Sequence, residues 1–272
     1  MKSLPISKFL TAAMVLLAGS AQAATLLTDN FDSYANQAAF QAAWPATVGT
    51  GGTLSTLQAA SAPNSVNFPL TAQRNDRTFA ESGNPAAGNA ITFGFDFYDS
   101  SAAASPYREC TSLIDGAGSA SGMLVSLGLN NNQTVANSGG NYYMARILGY
   151  TVPTTADPNG GPAESVGGAG AFFKLNDYGV GLRSTGWHNL SVTITDTAFN
   201  FYVDGLLAET VANAFTLRSY DLVRLGSGIS SANEAYFDDV LVGVNVPEPS
   251  TAVLSILGAL GLAAWNHRRR TV

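Results

Sequence analysis

An all-β fold, an antiparallel β-sandwich, is what the sequence predicts for the long stretch between its two apolar ends. Short runs rich in branched and aromatic residues recur between clusters of Gly, Asn, Asp and Pro, as in proteins built from strands joined by turns. Apolar and polar residues also alternate within these runs, most clearly where Phe93, Phe95 and Phe97 are separated by Gly94 and Asp96. Because successive side chains of a strand point to opposite faces, each such strand buries one face.

Ten strands are predicted from these runs. They span residues 65–70, 90–98, 107–114, 123–129, 142–150, 172–175, 187–195, 199–203, 222–225 and 236–244. Leu190, Val192 and Ile194 repeat the alternation of the phenylalanine strand. No internal repeat divides the series, so one β domain is expected.

One helical segment is predicted near the start of this domain. Asn36 is suited to cap a turn that runs to Trp44, with Phe40 and Trp44 on one face before Pro45 ends it. Residues 153–170, rich in Gly, Pro and small side chains, are too long for an ordinary connection. We expect a mobile segment there, with a binding loop as the alternative.

The first residues have the pattern of a secretory signal peptide. Lys2 and Lys8 precede an apolar run over residues 9–18, and Ala21 and Ala23 form the small-x-small cleavage pattern. The prediction is a signal peptide over residues 1–23, with a mature chain that starts at Ala24.

The last residues have three parts: a short proline-bracketed motif, an uncharged apolar run over residues 251–265, and an arginine cluster. The motif is Pro247, Glu248 and Pro249, and the cluster is Arg268, Arg269 and Arg270. As a helix, the run would be roughly 22 Å long, shorter than the ~30 Å hydrocarbon core of a bilayer. Arginines beyond it favour the cytoplasmic side, which puts the rest of the chain outside the inner membrane. A permanent tail anchor and a buried core helix are the alternatives.

The order of these three parts resembles the PEP-CTERM sorting signal. That resemblance implies export by a Gram-negative-type bacterium and processing by an exosortase-type membrane enzyme that recognises Pro247, Glu248 and Pro249. The precursor would be held in the inner membrane, and the mature body would be periplasmic, on the cell surface or in an extracellular matrix such as a biofilm. The predicted organisation is a signal peptide over residues 1–23, a β-sandwich over 24–245 and a sorting tail over 246–272.

The body between the two terminal segments is strongly acidic. Of the 13 Lys and Arg residues, five lie in those segments, whereas Glu248 is the only one of the 19 Asp and Glu residues there. The body keeps eight basic and 18 acidic residues, a net charge of about −10, which argues against nucleic acid as a partner. Cys110 is the single cysteine, so no intramolecular disulfide forms, and its expected role is that of a small buried side chain.

Two stretches carry a finer resemblance. Residues 186–192 read Gly-Trp-His-Asn-Leu-Ser-Val, residues 201–205 read Phe-Tyr-Val-Asp-Gly, and residues 236–240 form a last strand, Tyr-Phe-Asp-Asp-Val. Together these resemble the paired and closing strands of concanavalin A-like, laminin-G-like jelly rolls. The resemblance implies a jelly-roll sandwich, but that superfamily includes glucanases, lectins and adhesive modules, and fold does not imply function.

Each residue of these motifs has a structural interpretation. Asp204 and Gly205 supply the positive-φ positions of a two-residue hairpin. Trp187 is expected in the core, and His188, on the opposite face, at a solvent-facing rim. Asp238 and Asp239 cannot both face solvent in a regular strand, so one meets the interior or a bulge.

A structural Ca²⁺ is one hypothesis for the acidic residues at the two ends of the body. In several concanavalin A-like families this ion sits where the first and last strands meet, and here Asp29 and Asp32 open the body while Asp238 closes it. Oxygen ligands suit this cation, but the spacing forms no closed local motif. The alternative is that these carboxylates are hydrogen-bonded without metal, and no other cofactor is expected.

No catalytic motif is recognisable in the body. Retaining hydrolysis on this fold needs two carboxyls ~5–5.5 Å apart, yet no two glutamates of the body lie within five residues of each other. Glu234 and Asp238 share a strand face, but four residues put them about 13 Å apart. His188 is the only histidine of the body, which excludes a histidine-rich zinc site, and a Ser-His-Asp arrangement around it depends on geometry.

Two functional hypotheses follow. In the first, the body is a non-catalytic cell-surface or matrix protein that binds extracellular polysaccharide through exposed aromatics such as Tyr142, Tyr143 or Tyr150. In the second, it is a secreted carbohydrate-active enzyme, a glycoside hydrolase or lyase, with carboxylates gathered from separate strands. Paired carboxyls on one face would favour the enzyme, and aromatics without such a pair would favour binding.

Overall fold

The structure is a computed structural model. It describes residues 24–245 apart from residues 81, 83–84, 86–88, 103–107, 117–123, 130–141, 149–164, 168–169, 214–218 and 230–233. The predicted signal peptide (residues 1–23), the sorting tail (246–272) and the helices expected in them lie outside the described residues. Within the described part of the chain, no helix combines the length and apolar character needed to cross a bilayer.

The predicted antiparallel β-sandwich is confirmed. In chain order the elements are β1 (Ala24–Asp29), α1 (Gln37–Ala43), β2 (Ala46–Val48), β3 (Thr53–Ser55), β4 (Ser65–Phe68), β5 (Arg74–Thr78), β6 (Ala90–Asp99), β7 (Cys110–Ile114), β8 (Leu124–Gly128), β9 (Met144–Leu148), β10 (Ser165–Gly167), β11 (Gly170–Lys174), β12 (Gly186–Ile194), β13 (Ala198–Val203), β14 (Leu206–Ala212), β15 (Leu222–Leu225) and β16 (Ala235–Asn245). The strands form two sheets.

The first sheet has the order β14-β13-β12-β6-β16-β4-β3, with β1 added beside β16, and the second has the order β10-β11-β9-β8-β7-β15-β5-β2. All pairings are antiparallel among the described strands. Each sheet therefore has an inner face, which packs in the core, and an outer face.

The inner faces are the apolar positions that alternate along the strands. Phe93, Phe95 and Phe97 of β6 are fully buried, as are the three aliphatic residues of β12 within residues 190–194. The second sheet contributes Leu113, Val125, Leu127, Ala145, Ile147, Phe173, Val223 and Leu225 to the same cluster. The parity of these residues decides which other side chains of each strand lie on an outer face.

The predicted helical segment is also confirmed. The side chain of Asn36 accepts a hydrogen bond from the Ala39 N–H at 3.0 Å and so caps α1. Phe40 and Trp44 are both fully buried, one turn apart. Trp44 donates its N–H to the Phe40 carbonyl, and the helix ends there because Pro45 has no N–H to donate.

β16 lies at the centre of the first sheet. One edge pairs with β6 along most of its length, and the other edge pairs first with β4 and then with β1. The ladder with β6 shifts between Asp238 and Leu241, and Asp239 has a φ of 46°. The bulge that the adjacent aspartates predict is therefore present.

Several strands of the structure lack the pattern from which the others were predicted. β5 reads Arg-Asn-Asp-Arg-Thr, a polar run that only its partners β15 and β2 make into a strand. β10 and the start of β11 lie within residues 153–170, where a mobile segment was expected. Most of the other residues of that segment lie outside the described part of the chain.

Candidate functional site

A row of aromatic side chains crosses the outer face of the first sheet. Trp187 of β12 pairs with Tyr98 of β6, which pairs with Tyr236 of β16. The Trp187 and Tyr98 ring centroids are 5.4 Å apart, and those of Tyr98 and Tyr236 are 5.7 Å apart. Interplanar angles of 68° and 90° mean that the rings stand edge to face. We call these three residues the aromatic row.

The expectation that Trp187 lies in the core is wrong. The core side chains of β12 are Leu190, Val192 and Ile194, so an odd-numbered residue of this strand faces outward. Trp187 is half-buried and packs on the aromatic row.

Amides and carboxylates flank the aromatic row. The Asn67 amide donates to Glu234 at 3.3 Å, and the Tyr236 hydroxyl donates to the same Glu234 oxygen at 3.4 Å. The Asn189 amide donates to Asp96 at 2.8 Å. The rings are thus bordered by polar groups on both sides along the strands.

Asp96 is a carboxylate of altered acidity on this face. Burial raises the pKa of Asp96, the hydrogen bond from Asn189 opposes that rise, and the negative charges of Asp239 and Asp204 add to it. Asp96 therefore holds a proton more readily than an aspartate in water.

His188 lies at one end of the sandwich in a chain of hydrogen bonds. Its Nδ1 is 2.8 Å from Asp204 Oδ2, and its Nε2 is 3.0 Å from Ser184 Oγ. The His188 side chain is 13% exposed, so of the two expected positions, solvent-facing or at the rim, it takes one that is largely covered. The chain has the order of a Ser-His-Asp triad, but the Asp204 side chain is 49% exposed.

The second oxygen of Asp204 accepts the Asn189 N–H at 2.8 Å. Asp204 and Gly205 have φ values of 51° and 76°, which confirms the predicted two-residue hairpin. These contacts tie the turn between β13 and β14 to the start of β12, which gives the His188–Asp204 pair a structural role.

Behind His188 lies a buried ion pair. Arg183 donates to both oxygens of Asp99, at 2.9 Å and 3.2 Å, and both side chains have no exposed surface. Tyr143 donates to Asp99 at 3.3 Å, and its ring centroid is 5.4 Å from that of His188. Tyr143 is buried, so it offers no surface for a sugar, contrary to expectation; Tyr142 is half-buried, and Tyr150 lies outside the described residues.

The outer face of the second sheet carries a second row, which crosses six strands. Consecutive strand partners in this row are Asp76, Arg224, Ser112, Ser126, Arg146 and Phe172. A cavity of about 180 Å³ opens on it and is also lined by Arg74 and Arg108. We call Arg74, Arg108, Arg146 and Arg224 the arginine face.

Glycine is required at the edge of this cavity. Gly128 has a φ of 144°, and a Cβ there would lie 2.3 Å from the Glu109 carbonyl oxygen. The close approach brings β7 and β8 together below the arginines.

The described residues that line this cavity include no Asp, Glu, His, Tyr or Lys side chain. Cys110 does line it, but burial raises the pKa of its thiol to about 11, with a further rise from the charge of Glu109. The thiol is therefore protonated at neutral pH. Guanidinium, hydroxyl and apolar groups bind a ligand but do not exchange protons with it.

Glu109 lies beside the cavity as a buried carboxylate, and burial of its negative charge destabilises the folded protein. Its Oε1 accepts the Ser227 N–H at 2.7 Å, yet burial raises the pKa of Glu109 well above its usual value. Burial likewise raises the pKa of Asp238 to about 6. For both groups the pKa is higher in the folded protein than in the unfolded chain. The folded state is therefore favoured while the group is protonated at low pH, and this contribution to the free energy of unfolding is lost as the pH rises through the folded-state pKa.

We therefore expect Glu109→Gln to raise the melting temperature at neutral pH by a few degrees. The amide keeps one acceptor for the Ser227 N–H and cannot ionise. Melting temperatures of wild type and variant, measured from about pH 4 to about pH 8, should diverge as pH rises. Asp115→Asn, at another buried carboxylate, is the control. A variant that melts below wild type at every pH would contradict this expectation.

No family model matches the chain, and no curated protein matches it. Several solved structures do match the chain. The receptor binding domain of botulinum neurotoxin D matches at 12% identity over 86% of this chain and 52% of its own, with a TM-score of 0.47. The cellulose induced protein Cip1 matches at 14% identity over 79% of this chain and 96% of its own, also with a TM-score of 0.47. The chain spans about half the length of the neurotoxin domain.

A serotype D ligand binding domain in complex with N-acetylneuraminic acid is a further match, at 12% identity over 88% of this chain and 50% of its own, with a TM-score of 0.45. At these identities and scores, the likeness says nothing about function. Function rests on the side chains of this chain.

The proposed calcium ligands were Asp29, Asp32 and Asp238, and the structure does pair the first and last strands beside them, with Asp29 opposite Val240. However, Asp29 Oδ2 accepts hydrogen bonds from Tyr34, from Trp44 Nε1 at 2.9 Å and from Arg77. An arginine on this carboxylate does not fit a divalent cation at the same oxygen.

The other two carboxylates are held by N–H donors. Asp32 Oδ1 accepts the Asn64 N–H at 2.8 Å. Asp238 Oδ2 accepts the Ala60 and Ser61 N–H groups at 2.9 Å and 3.0 Å. No group of three or more His, Cys, Asp or Glu side chains suited to a metal occurs among the described residues.

These contacts make calcium binding testable. We expect saturating calcium to leave the melting temperature of the protein unchanged, because the donors on Asp29 and Asp238 already hold the carboxylates. Differential scanning calorimetry with calcium and with a chelator measures this. A stabilisation by calcium that Asp238→Asn abolishes would restore the metal hypothesis.

Proposed function

We propose that the body is a non-catalytic carbohydrate-binding module that takes an extracellular polysaccharide on the aromatic row. The observation that carries the proposal is the alignment of Trp187, Tyr98 and Tyr236 across three neighbouring strands of an outer sheet face. Strands lie ~4.8 Å apart, so the row spans roughly 10 Å.

The chemistry of this face suits a sugar chain. The C–H faces of a pyranose pack on aromatic rings, and its hydroxyls need partners that both donate and accept. Trp187 and Tyr98, which are partly exposed, supply the ring surface, whereas Tyr236 is 6% exposed and packs against Tyr98. Asn67, Glu234, Asn189 and Asp96 supply amides and carboxylates within hydrogen-bonding distance of one another. Because the Trp187 and Tyr98 rings stand edge to face, the chain would lie against one ring and beside the edge of the other.

Affinity electrophoresis of the full-length chain in gels containing neutral polysaccharides tests the proposal. We expect Trp187→Ala to remove retardation by the polysaccharide that binds. Tyr178→Ala is the matched control, because Tyr178 is an aromatic residue with 51% exposure outside the row. Retardation that survives Trp187→Ala and Tyr98→Ala, or the absence of retardation by every polysaccharide, would refute the site.

Delivery to the polysaccharide is the second part of the proposal. The signal peptide would export the chain, and an exosortase-type enzyme would process the tail at Pro247, Glu248 and Pro249, with Arg268, Arg269 and Arg270 left on the cytoplasmic side. A double substitution, Pro247→Ala with Pro249→Ala, is expected to leave export intact and the tail attached. Intact-mass measurement of the released wild-type protein that shows an unprocessed tail would refute the sorting proposal.

The enzyme alternative has one observation in its favour. Asp96, beside the aromatic row, has a raised pKa and lies near the charge of Asp239, the arrangement that a general acid of a glycoside hydrolase needs. Release of reducing ends from the polysaccharide that binds, lost in Asp96→Asn while binding persists, would replace the binding module with a hydrolase. We expect no such release.

A further inference from the structure

Positive charge is unevenly distributed over this acidic body. The region between the terminal segments has eight basic residues against 18 acidic ones. Four of the eight, the arginine face, line a single cavity on the outer face of the second sheet. Lys174 is two residues after Phe172 in β11 and so shares this outer face. At least half of the basic residues of the body therefore lie on the outer face of the second sheet, which has few acidic residues.

One carboxylate on this face is already neutralised. Asp76 accepts Arg224 Nε at 2.9 Å and Arg224 Nη2 at 2.8 Å, and Arg74 Nε lies 3.8 Å from it. Arg74 donates Nε to Thr47 at 2.9 Å. Asp76 is the carboxylate of this row, and the buried Glu109 beside the cavity accepts the Ser227 N–H, so the four guanidinium groups lie near few negative charges.

Arg146 carries a buried N–H that has no acceptor among the described residues. Its guanidinium lies 5.0 Å from the Phe172 ring centroid, and its Nε is buried with no hydrogen-bond acceptor among the described residues. Burial lowers the pKa of Arg146, and the charge of Arg108 lowers it further. Because a buried N–H without an acceptor is destabilising, this N–H is suited to donate a hydrogen bond to a ligand oxygen.

We propose that the arginine face binds an acidic polysaccharide, a polyuronate chain, whose carboxylates pair with Arg146 and Arg108. A planar carboxylate matches the two-pronged guanidinium, and the Asp76–Arg224 pair on the same row shows that geometry. This site is separate from the aromatic row, which lies on the other sheet, so it stands whether or not that row binds sugar.

The dimensions of the row favour a polymer over a single ion. Arg224 and Arg146 are three strand spacings apart, roughly 14 Å. Ser112 and Ser126 lie between them in register and line the cavity, although their side chains are largely buried. A chain with a carboxylate on successive sugar units would place one carboxylate on Arg146 and extend along the row toward the Asp76–Arg224 pair.

Isothermal titration of the full-length chain, purified in a neutral detergent, tests the inference with three probes: polygalacturonate, dextran sulfate and dextran. We expect polygalacturonate to bind, with an affinity that falls as salt rises. Arg146→Gln and, as a second variant, Arg108→Gln should each weaken binding roughly tenfold or more. Arg146→Lys keeps the charge but loses the planar fork, so an intermediate loss is expected.

Thr28→Glu is the matched control, since it changes the net charge by the same amount at an exposed position of β1 in the other sheet. It should leave the affinity within about twofold of wild type, because charges beyond a Debye length are screened. Unchanged polygalacturonate binding in both arginine variants would overturn the inference, as would tighter binding of dextran sulfate or of single-stranded DNA. Equal binding of neutral dextran would overturn the acidic class.

The aromatic row and the arginine face are tested independently of each other. Trp187→Ala should leave polygalacturonate binding unchanged, and Arg146→Gln should leave retardation by neutral polysaccharides unchanged. Loss of polygalacturonate binding in Trp187→Ala would show one shared site and overturn the independence of the arginine face.

Discussion

Arg183→Met is expected to lower the free energy of unfolding by about 3–5 kcal/mol, because it leaves the Asp99 carboxylate buried without its cation. Both side chains are fully buried, so water cannot replace the guanidinium. Arg183 also donates to the Ser101 carbonyl at 2.7 Å, and that acceptor loses its partner too. Methionine fills much of the volume, so the loss reports on charge and hydrogen bonding more than on a cavity.

Urea unfolding of four proteins measures this prediction. Wild type and Arg183→Met give the loss, and Arg183→Met combined with Asp99→Asn should recover a large part of it, because no buried charge then remains. Arg74→Met is the matched control: its ion pair with Asp76 at 3.8 Å is partly exposed, so we expect less than about 1 kcal/mol. Equal losses in the single and double variants would mean that packing, not the buried charge, dominates.

The second large effect concerns Asp29, and we expect Asp29→Asn to cost about 3 kcal/mol. This carboxylate accepts hydrogen bonds from Tyr34, Trp44 and Arg77 through one oxygen, and from the Phe31 N–H at 2.8 Å through the other. An asparagine has one acceptor oxygen and an amide that faces these donors. The substitution therefore loses the Arg77 ion pair and leaves buried donors unpaired.

Asp32→Asn makes the control for this substitution. Asp32 was predicted as a calcium ligand in the same way, but its Asn30 and Asn64 partners lie nearer the surface, and we expect a loss below about 1 kcal/mol. Thermal and urea unfolding of both variants compare the two positions. Similar losses at Asp29 and Asp32 would contradict the hydrogen-bond assignment and favour a shared ligand, such as a cation.

Most of the core could be predicted from the sequence. The alternation of Phe93, Phe95 and Phe97 gives the inner face of β6, and the Asn36 cap gives α1, because both depend on residues close together in the chain. The position of Trp187 was predictable too: the parity of Leu190 and Val192 places it outside. The expectation failed because a large apolar side chain was assigned to the core on size alone.

The two outer rows could not be predicted in the same way. Tyr98 and Tyr236 meet only because β6 and β16 pair in one register, and Arg146 joins Arg224 through two intervening strands. A one-residue change in register would move either set to the other face. The hydrogen bonds on Asp29, one of the proposed calcium ligands, could not be predicted for a related reason, since Arg77 reaches Asp29 from β5, a polar run with no strand pattern.

The central position of β16 orders the events of folding. Its neighbours β6, β4 and β1 are synthesised long before it, but they have no common partner until residues 235–245 exist. The first sheet therefore stays divided, with β14-β13-β12-β6 apart from β4-β3, until nearly the whole body has been made, and the distant pairings make closure slow. A polypeptide truncated before Ala235 is expected to remain unfolded and protease-sensitive.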